Sequence, residues 1–270
     1  MAMVFSAAAR CIAASAATAL VRASIHSRLR YRTAPILARR VPFVAMTEHA
    51  DQPVGLPARW RPSDEGRHPS APVEAWWFWG WDVAASAGLY VGLEITGQRF
   101  DYWAGLVRAG EPYLHIVELD GTGLRAGLEI KPPEMWAGHT CDEPFEQWSF
   151  GNEAHGVLLD EPDEALGRAY GELVPVTFDV EWYASGGPVA VDGGYEQRGE
   201  VDAKIELREG IFRLTGPGRR VHVWGRPWLP QSPSGPTGWG LRAPYRRRDG
   251  SGVEQVLAAD GWHAWVRPAP

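Results

Sequence analysis

The run Phe178-Asp-Val-Glu-Trp182 sets two carboxylates, Asp179 and Glu181, on the same face of an extended chain. They would stand about 6.6 Å apart along a strand. That spacing is compatible with paired-carboxylate chemistry such as glycoside hydrolysis, and equally with two solvated acids on an outer face. Asn152-Glu-Ala-His155 repeats the arrangement with an acid and an imidazole, Glu153 and His155. Such a pair can orient a proton shuttle, although surface pairs on an edge strand look the same. His222 sits between two valines and shares a face with Trp224, which suits a satisfied core imidazole as well as a general base. His139-Thr-Cys-Asp142 carries metal-ligating residue types, but no second pair at zinc spacing accompanies it, so no metal is expected. The two cysteines, Cys11 and Cys141, do not make a disulfide framework, and Cys141 reads as a reduced, small apolar residue. Gly216-Pro-Gly218 with Arg219 and Arg220 does not open a phosphate-cradling helix. Nucleophile elbow and dinucleotide fingerprint are both missing, and no cofactor is expected.

The elements that must position these groups are written in strand-and-turn language from about residue 73. Leu89, Val91, Leu93 and Ile95 alternate with Tyr90, Gly92 and Glu94, and Phe100, Tyr102, Ala104 and Leu106 repeat the pattern after a turn at Thr96-Gly97-Gln98. Further strands are expected over Tyr113–Leu119, Leu124–Ile130, Phe145–Gly151, His155–Leu159, Val174–Ala184, Val201–Arg208, Phe212–Leu214 and Val221–Trp224. Val253–Ala258 and Trp262–Val266 read as a final hairpin. Pro162–Tyr170 is the one helical turn expected, and 186–194 and 231–240 read as Pro/Gly-rich loops. Strands at this spacing without crossover helices predict an all-β, antiparallel barrel or sandwich.

Composition narrows the partners. A hydrophobic fraction of 45% and a charged fraction of 22% describe an ordinary globular chain of 270 residues. A net charge of −6 argues against nucleic acid, and the run Arg246-Arg-Arg248 reads as a solvated hairpin tip. No stretch reaches the roughly 20 apolar residues of a membrane span. Residues 1–45 hold seven arginines and no acid. They are expected to be a non-globular extension, either a reading frame opened upstream of Met46 or a transit segment, and a cytoplasmic location is expected.

Tryptophan is the outlier, with 14 residues, four of them in Glu74-Ala-Trp-Trp-Phe-Trp-Gly-Trp-Asp82. In an extended chain Trp77, Trp79 and Trp81 point one way, and Trp76 and Phe78 point the other with Glu74. A strand aromatic on both faces meets water on neither. One face is expected to fill or line a barrel, the other to pack on a second layer. Single tryptophans are core material, but Trp103, Trp136, Trp148, Trp182, Trp224 and Trp228 extend the set toward an aromatic-walled ligand cavity.

The stretch Tyr195-Glu-Gln-Arg-Gly199, then Val201-Asp-Ala-Lys-Ile-Glu206, then Gly218-Arg-Arg-Val-His-Val-Trp-Gly-Arg-Pro-Trp228, resembles the second half of the AttH and carotenoid 1,2-hydratase-like (hydroxyneurosporene synthase-like) group. Glu74-Ala-Trp76-Trp77 resembles that group's opening strand, and the likeness runs over about residues 73–230. The resemblance implies two lipocalin-like β barrels side by side, 73–165 and 166–270, with the second shortened. It also implies non-redox hydration or cyclisation of terpenoid, polyketide or lipid-like molecules. On this reading Glu196, Glu181 and His222 are the candidate catalytic residues. Trp77, Trp79, Trp103, Trp182, Tyr195 and Trp224 are the candidate ligand-binding residues around a small apolar molecule. Val221 and Val223 replace the group's polar neighbours of the histidine, which favours the alternative of a non-catalytic carrier on the same fold. A second alternative is a carbohydrate-active or carbohydrate-binding sandwich, with exposed tryptophans stacking on sugars beside Asp179 and Glu181.

Overall fold

A computed structural model describes residues 60–230 and 240–267. The extension at 1–45 and residues 231–239 of the expected loop lie outside the described residues. Fifteen strands follow one another: β1 Val73–Asp82, β2 Ala87–Thr96, β3 Arg99–Arg108, β4 Tyr113–Gly121, β5 Leu128–Ile130, β6 Trp136–Glu143, β7 Gln147–Leu159, β8 Glu172–Ala184, β9 Val189–Val191, β10 Gly194–Leu207, β11 Gly210–Trp224, β12 Leu241–Arg242, β13 Tyr245–Arg246, β14 Gly252–Ala258 and β15 Gly261–Val266. Among the described residues, helix is confined to two 3-10 turns, Pro62–Glu65 and Pro162–Leu166. The all-β expectation is therefore met.

The larger sheet runs β4-β3-β2-β1-β11-β10-β8-β7-β6-β5, with β9 beside β10. It closes on itself because β4 also pairs with β7, from Tyr113 opposite Leu159 to His115 opposite Val157. Eight antiparallel strands thus make a ring, which removes the exposed edges that an open sheet would present. β5 and β6 leave the ring as a ribbon along the first half of β7. The ring takes β1–β4 and β7 from residues 73–165 and β8, β10 and β11 from 166–270. A four-stranded sheet, β12-β14-β13 with β15 on β14, stands where a shortened second barrel is expected.

Several strands are longer or shorter than their patterns suggest. β7 begins at Gln147, two residues into the expected Phe145–Gly151 strand, and continues through His155–Leu159, and β11 runs through Gly216-Pro-Gly218. Pro217 lies just past the last β1 partner of β11, Gly80 opposite Gly218, where the strand has a neighbour on one side only. A proline is tolerated there. β6 has little alternation to announce it, and Leu124 contributes only a bridge to Ile130.

The two-faced β1 organises the packing. Trp76 and Phe78 point into the ring with Leu89, Val91, Tyr102, Phe150 and Trp182. Trp77 and Trp79 point outward, with Tyr90 and Trp103, and are closed over by Tyr245, Val253 and Trp262 of the second sheet. Trp79 Nε1 donates to Gln255 Oε1 at 2.8 Å and Trp103 Nε1 donates to the Arg246 carbonyl at 2.9 Å, stitching the layers together. Gly92 lies opposite Trp77, and a Cβ there would fall 2.5 Å from the indole. The glycine leaves the slot that the ring fills. The arginine run is not a solvated tip throughout. Arg247 is buried and its Nη2 donates to Glu94 Oε2 at 3.2 Å, while Arg248 reaches Asp101 and Asp120. The acids on the outer faces of β2 and β3 draw these cations in.

Candidate functional site

A cluster of buried polar side chains gathers where the segment before β1 meets β1, β10 and β11. The 3-10 turn Pro62–Glu65 starts where the Arg61 N–H donates to Asp64 Oδ2 at 2.8 Å, and it delivers Glu65, 2% exposed, over the end of the barrel. Arg220 rises from β11 to meet it. Arg220 Nη2 donates to Glu65 Oε1 at 2.6 Å and Nη1 to Oε2 at 2.8 Å, a two-pronged pair. Trp148 Nε1 donates to Glu65 Oε2 at 2.8 Å, and the Phe145 N–H donates to Oε1 at 3.1 Å. Gln197 completes the shell. Its Oε1 accepts from Arg220 Nε at 3.0 Å, and its Nε2 donates to the Phe145 and Gly186 carbonyls, each at 2.8 Å. The guanidinium also lies 5.0 Å from the Trp182 ring and 5.2 Å from the Tyr195 ring. Every charge here has partners, as burial requires.

Beside this pair stands a second cluster. Oε1 of Glu74 lies 2.8 Å from Nε2 of His222 and 2.7 Å from Nδ1 of His68, and Oε2 accepts the His68 backbone N–H at 2.9 Å. Tyr195 Oη lies 3.1 Å from Nδ1 of His222. Burial pushes the Glu74 carboxyl up, but the hydrogen bonds of His222 and His68 outweigh it and hold the group below the usual carboxylate range. His222 is fully buried, and that burial keeps it below the usual histidine range. Trp76 stacks on His222 with ring centres 4.6 Å apart, and Trp224 stacks on His68 at 4.1 Å. The neighbours that orient His222 therefore come from β1 and β10. Val221 and Val223 pack outward, as alternate residues of a strand must, so their apolar character does not bear on the ring.

A cavity of about 500 Å³ opens between the β5–β6 ribbon and Glu65–Arg67. Its lining includes Trp136, Trp148, Leu128, Cys141 and His139. His139 points inward from β6 and is buried, and neither ring nitrogen finds a hydrogen-bond partner at normal geometry. Burial brings its pKa down to about 4, against an opposing pull from the Leu128 backbone, so the ring is neutral. Burial also pushes the Cys141 thiol up to about 12, which leaves it an inert wall residue.

The sequence-derived candidates are scattered over this frame. His222, Tyr195 and Trp224 meet in the Glu74 cluster, and Trp182 stands under Arg220 inside the ring. Trp77, Trp79 and Trp103 lie between the barrel and the second sheet. Glu196 is on the outer wall in a separate groove of about 420 Å³ with Arg219, Val221 and Trp228. Arg219 there lies 4.6 Å over the Trp79 ring. Glu181 is on the outer face of β8 and accepts from Gln147 Nε2 at 3.0 Å. Asp179 and Tyr183 stand exposed beside it, and no tryptophan among the described residues is exposed. Glu65 and His68 carry no signal in the sequence, Gln197 enters only within the Tyr195–Gly199 motif, and His139 and Arg220 stand in stretches that fall short of a metal and a phosphate site. The inward position of Glu74 on β1 was the one available signal, since it shares a face with Trp76.

No family model and no curated protein matches the chain. Among solved structures, one provisionally described as an AttH of Nitrosomonas europaea aligns with 80% of this chain and 73% of its own, at 14% identity and a TM-score of 0.44. The chain is similar to an AttH-type structure. That likeness assigns neither ligand nor reaction. A structure described as CghA aligns with 70% of this chain and 54% of its own, at 11% identity and a TM-score of 0.30.

Proposed function

We propose that the protein binds a small, largely apolar molecule in the cavity between the β5–β6 ribbon and Glu65–Arg67. The observation that supports this reading is a space of about 500 Å³ whose lining includes Trp136, Trp148 and Leu128, with the buried, neutral imidazole of His139 behind it. Cavities of this size, mostly apolar with one or two convergent polar groups, are the usual form of small-molecule sites.

The carrier reading is favoured over hydration or cyclisation. Protonating an alkene needs an acid free to face the guest. Of the carboxylates lining this cavity, Glu65 is committed to Arg220, Trp148 and Phe145, and Glu129 accepts from Trp136 Nε1 at 3.3 Å. Sugar binding on β8 lacks the flat aromatic platform it would use.

Farnesol is a suitable probe, presenting an apolar chain and one hydroxyl. Native mass spectrometry of the full chain should show a one-to-one adduct. Trp136→Ala should weaken it by about tenfold or more, equivalent to about 1.4 kcal/mol, while Tyr183→Ala on the outer face of β8 leaves it unchanged. An adduct with cellobiose in place of farnesol, or farnesol binding indifferent to Trp136→Ala, would overturn the proposal.

A further inference from the structure

The Glu74 cluster has a geometry that internal hydrogen bonding does not exhaust. Three donor atoms, Nδ1 of His68, a carboxylate oxygen of Glu74 and Nε2 of His222, lie within 4.8 Å of one another. They come from three elements: the segment following the 3-10 turn, the start of β1 and the end of β11. We propose that His68, Glu74 and His222 form a binding site for a divalent transition metal ion, with zinc the best fit.

The donor set carries the choice of ion. Two imidazole nitrogens and one carboxylate suit zinc and its first-row neighbours, and poorly suit calcium or magnesium, which take oxygen ligands. Zinc bonds of about 2.0–2.2 Å place tetrahedral ligand atoms about 3.3 Å apart. Glu74 Oε1 now lies 2.7 and 2.8 Å from the two ring nitrogens, so an ion enters by opening these contacts by roughly half an ångström. His68 is 22% exposed and lies outside the barrel strands, which gives the ion a way in and the ring room to move.

The outer shell is already built for ligation. A metal-bound histidine presents its other nitrogen to a polar partner, which fixes ring and tautomer. Nδ1 of His222 has Tyr195 Oη at 3.1 Å, while Asp64 Oδ1 lies 3.9 Å from Nε2 of His68, a charge neighbour rather than a hydrogen-bond partner. The second oxygen of Glu74 is held by the His68 backbone N–H. Trp76 and Trp224 clamp the two rings by stacking. Three protein ligands leave a fourth position for water, the open arrangement of reactive rather than purely structural zinc sites. The proposal does not depend on the cavity beside His139.

Cobalt reads the site directly. The full chain, stripped by a chelator and titrated with Co²⁺, should bind one equivalent with visible bands of a low-coordinate nitrogen and oxygen site. Stoichiometric Zn²⁺ should displace it. His68→Gln removes a ligand from the half-exposed side and should lower the affinity at least tenfold while circular dichroism stays unchanged. Glu74→Gln, which keeps the shape of the side chain, should do the same, and His155→Gln, at an exposed imidazole on β7, should leave binding intact. Zn²⁺ should raise the melting temperature of the native chain and not that of His68→Gln. Failure to bind cobalt would overturn the proposal, and cobalt retained undiminished by both ligand variants would overturn it by placing the ion elsewhere.

Discussion

Glu65→Ala is expected to lower the unfolding free energy by about 3–5 kcal/mol, because it strands the Arg220 guanidinium in the barrel without its counter-charge. Arg220 is 1% exposed, and Glu65 supplies both oxygens of its two-pronged pair. The same substitution leaves Trp148 Nε1 and the Phe145 N–H without acceptors. Phe145 holds a left-handed backbone with φ of 62°, costly for a residue with a side chain, and its N–H and carbonyl are gripped by Glu65 and Gln197. Urea unfolding followed by tryptophan fluorescence measures the loss. Replacing both partners, Glu65→Leu with Arg220→Met, should recover a large part of it, since a buried ion pair exchanged for apolar groups is often neutral. A loss below about 1 kcal/mol for Glu65→Ala, the level of a surface ion pair, would contradict the burial of this carboxylate.

Acid is expected to destabilise the protein well above the pH at which most carboxylates titrate. His115 and His139 are fully enclosed, and burial lowers each from 6.5 to about 4. Below pH 6.5 the unfolded chain takes up a proton at each position that the folded chain refuses, so stability is present above that pH and is lost as the pH falls toward 4. The slope is about 1.4 kcal/mol per pH unit for each histidine, and the whole loss is about 3 kcal/mol for each. Glu94 and Asp101, pushed up by burial, protonate early in the folded protein and offset part of this. The paired variant His115→Gln with His139→Leu isolates the histidine contribution. Urea midpoints between pH 7 and pH 4 should fall steeply for the native chain and much less steeply for the variant. Parallel curves would show that both imidazoles titrate normally.

Strand alternation made the architecture legible, and long-range partnership was what it withheld. Trp76 and Trp77 point to opposite faces in any extended chain, and the two buried layers follow from that parity alone. The closure of the ring depends on β4 meeting β7, a pairing over more than forty residues that no local pattern encodes. The polar site hid for the same reason. Glu65 and Arg220 are 155 residues apart, and Glu74 and His222 are 148 apart. His68 belongs to a stretch with neither strand nor helix periodicity, so it offered nothing to place it. His222 was found because a recognisable motif carries it. The expected orienting neighbours were sought at the adjacent positions Val221 and Val223, which face the other way, whereas Glu74 and Tyr195 reach the ring from neighbouring strands. The choice of Glu196 and Glu181 fails to converge on His222 because both face outward on strands whose inner residues form the site.

The account stands most directly on the cavity beneath Trp136 accepting a guest. A crystal of the full chain soaked with 2-bromonaphthalene measures this without reference to any reaction. The account predicts an anomalous bromine peak against the β5–β6 ribbon beside Trp136 and Glu65–Arg67. Side chains found closed over that volume, with bromine absent from it or seated only in the groove beside Glu196 and Arg219, would contradict it.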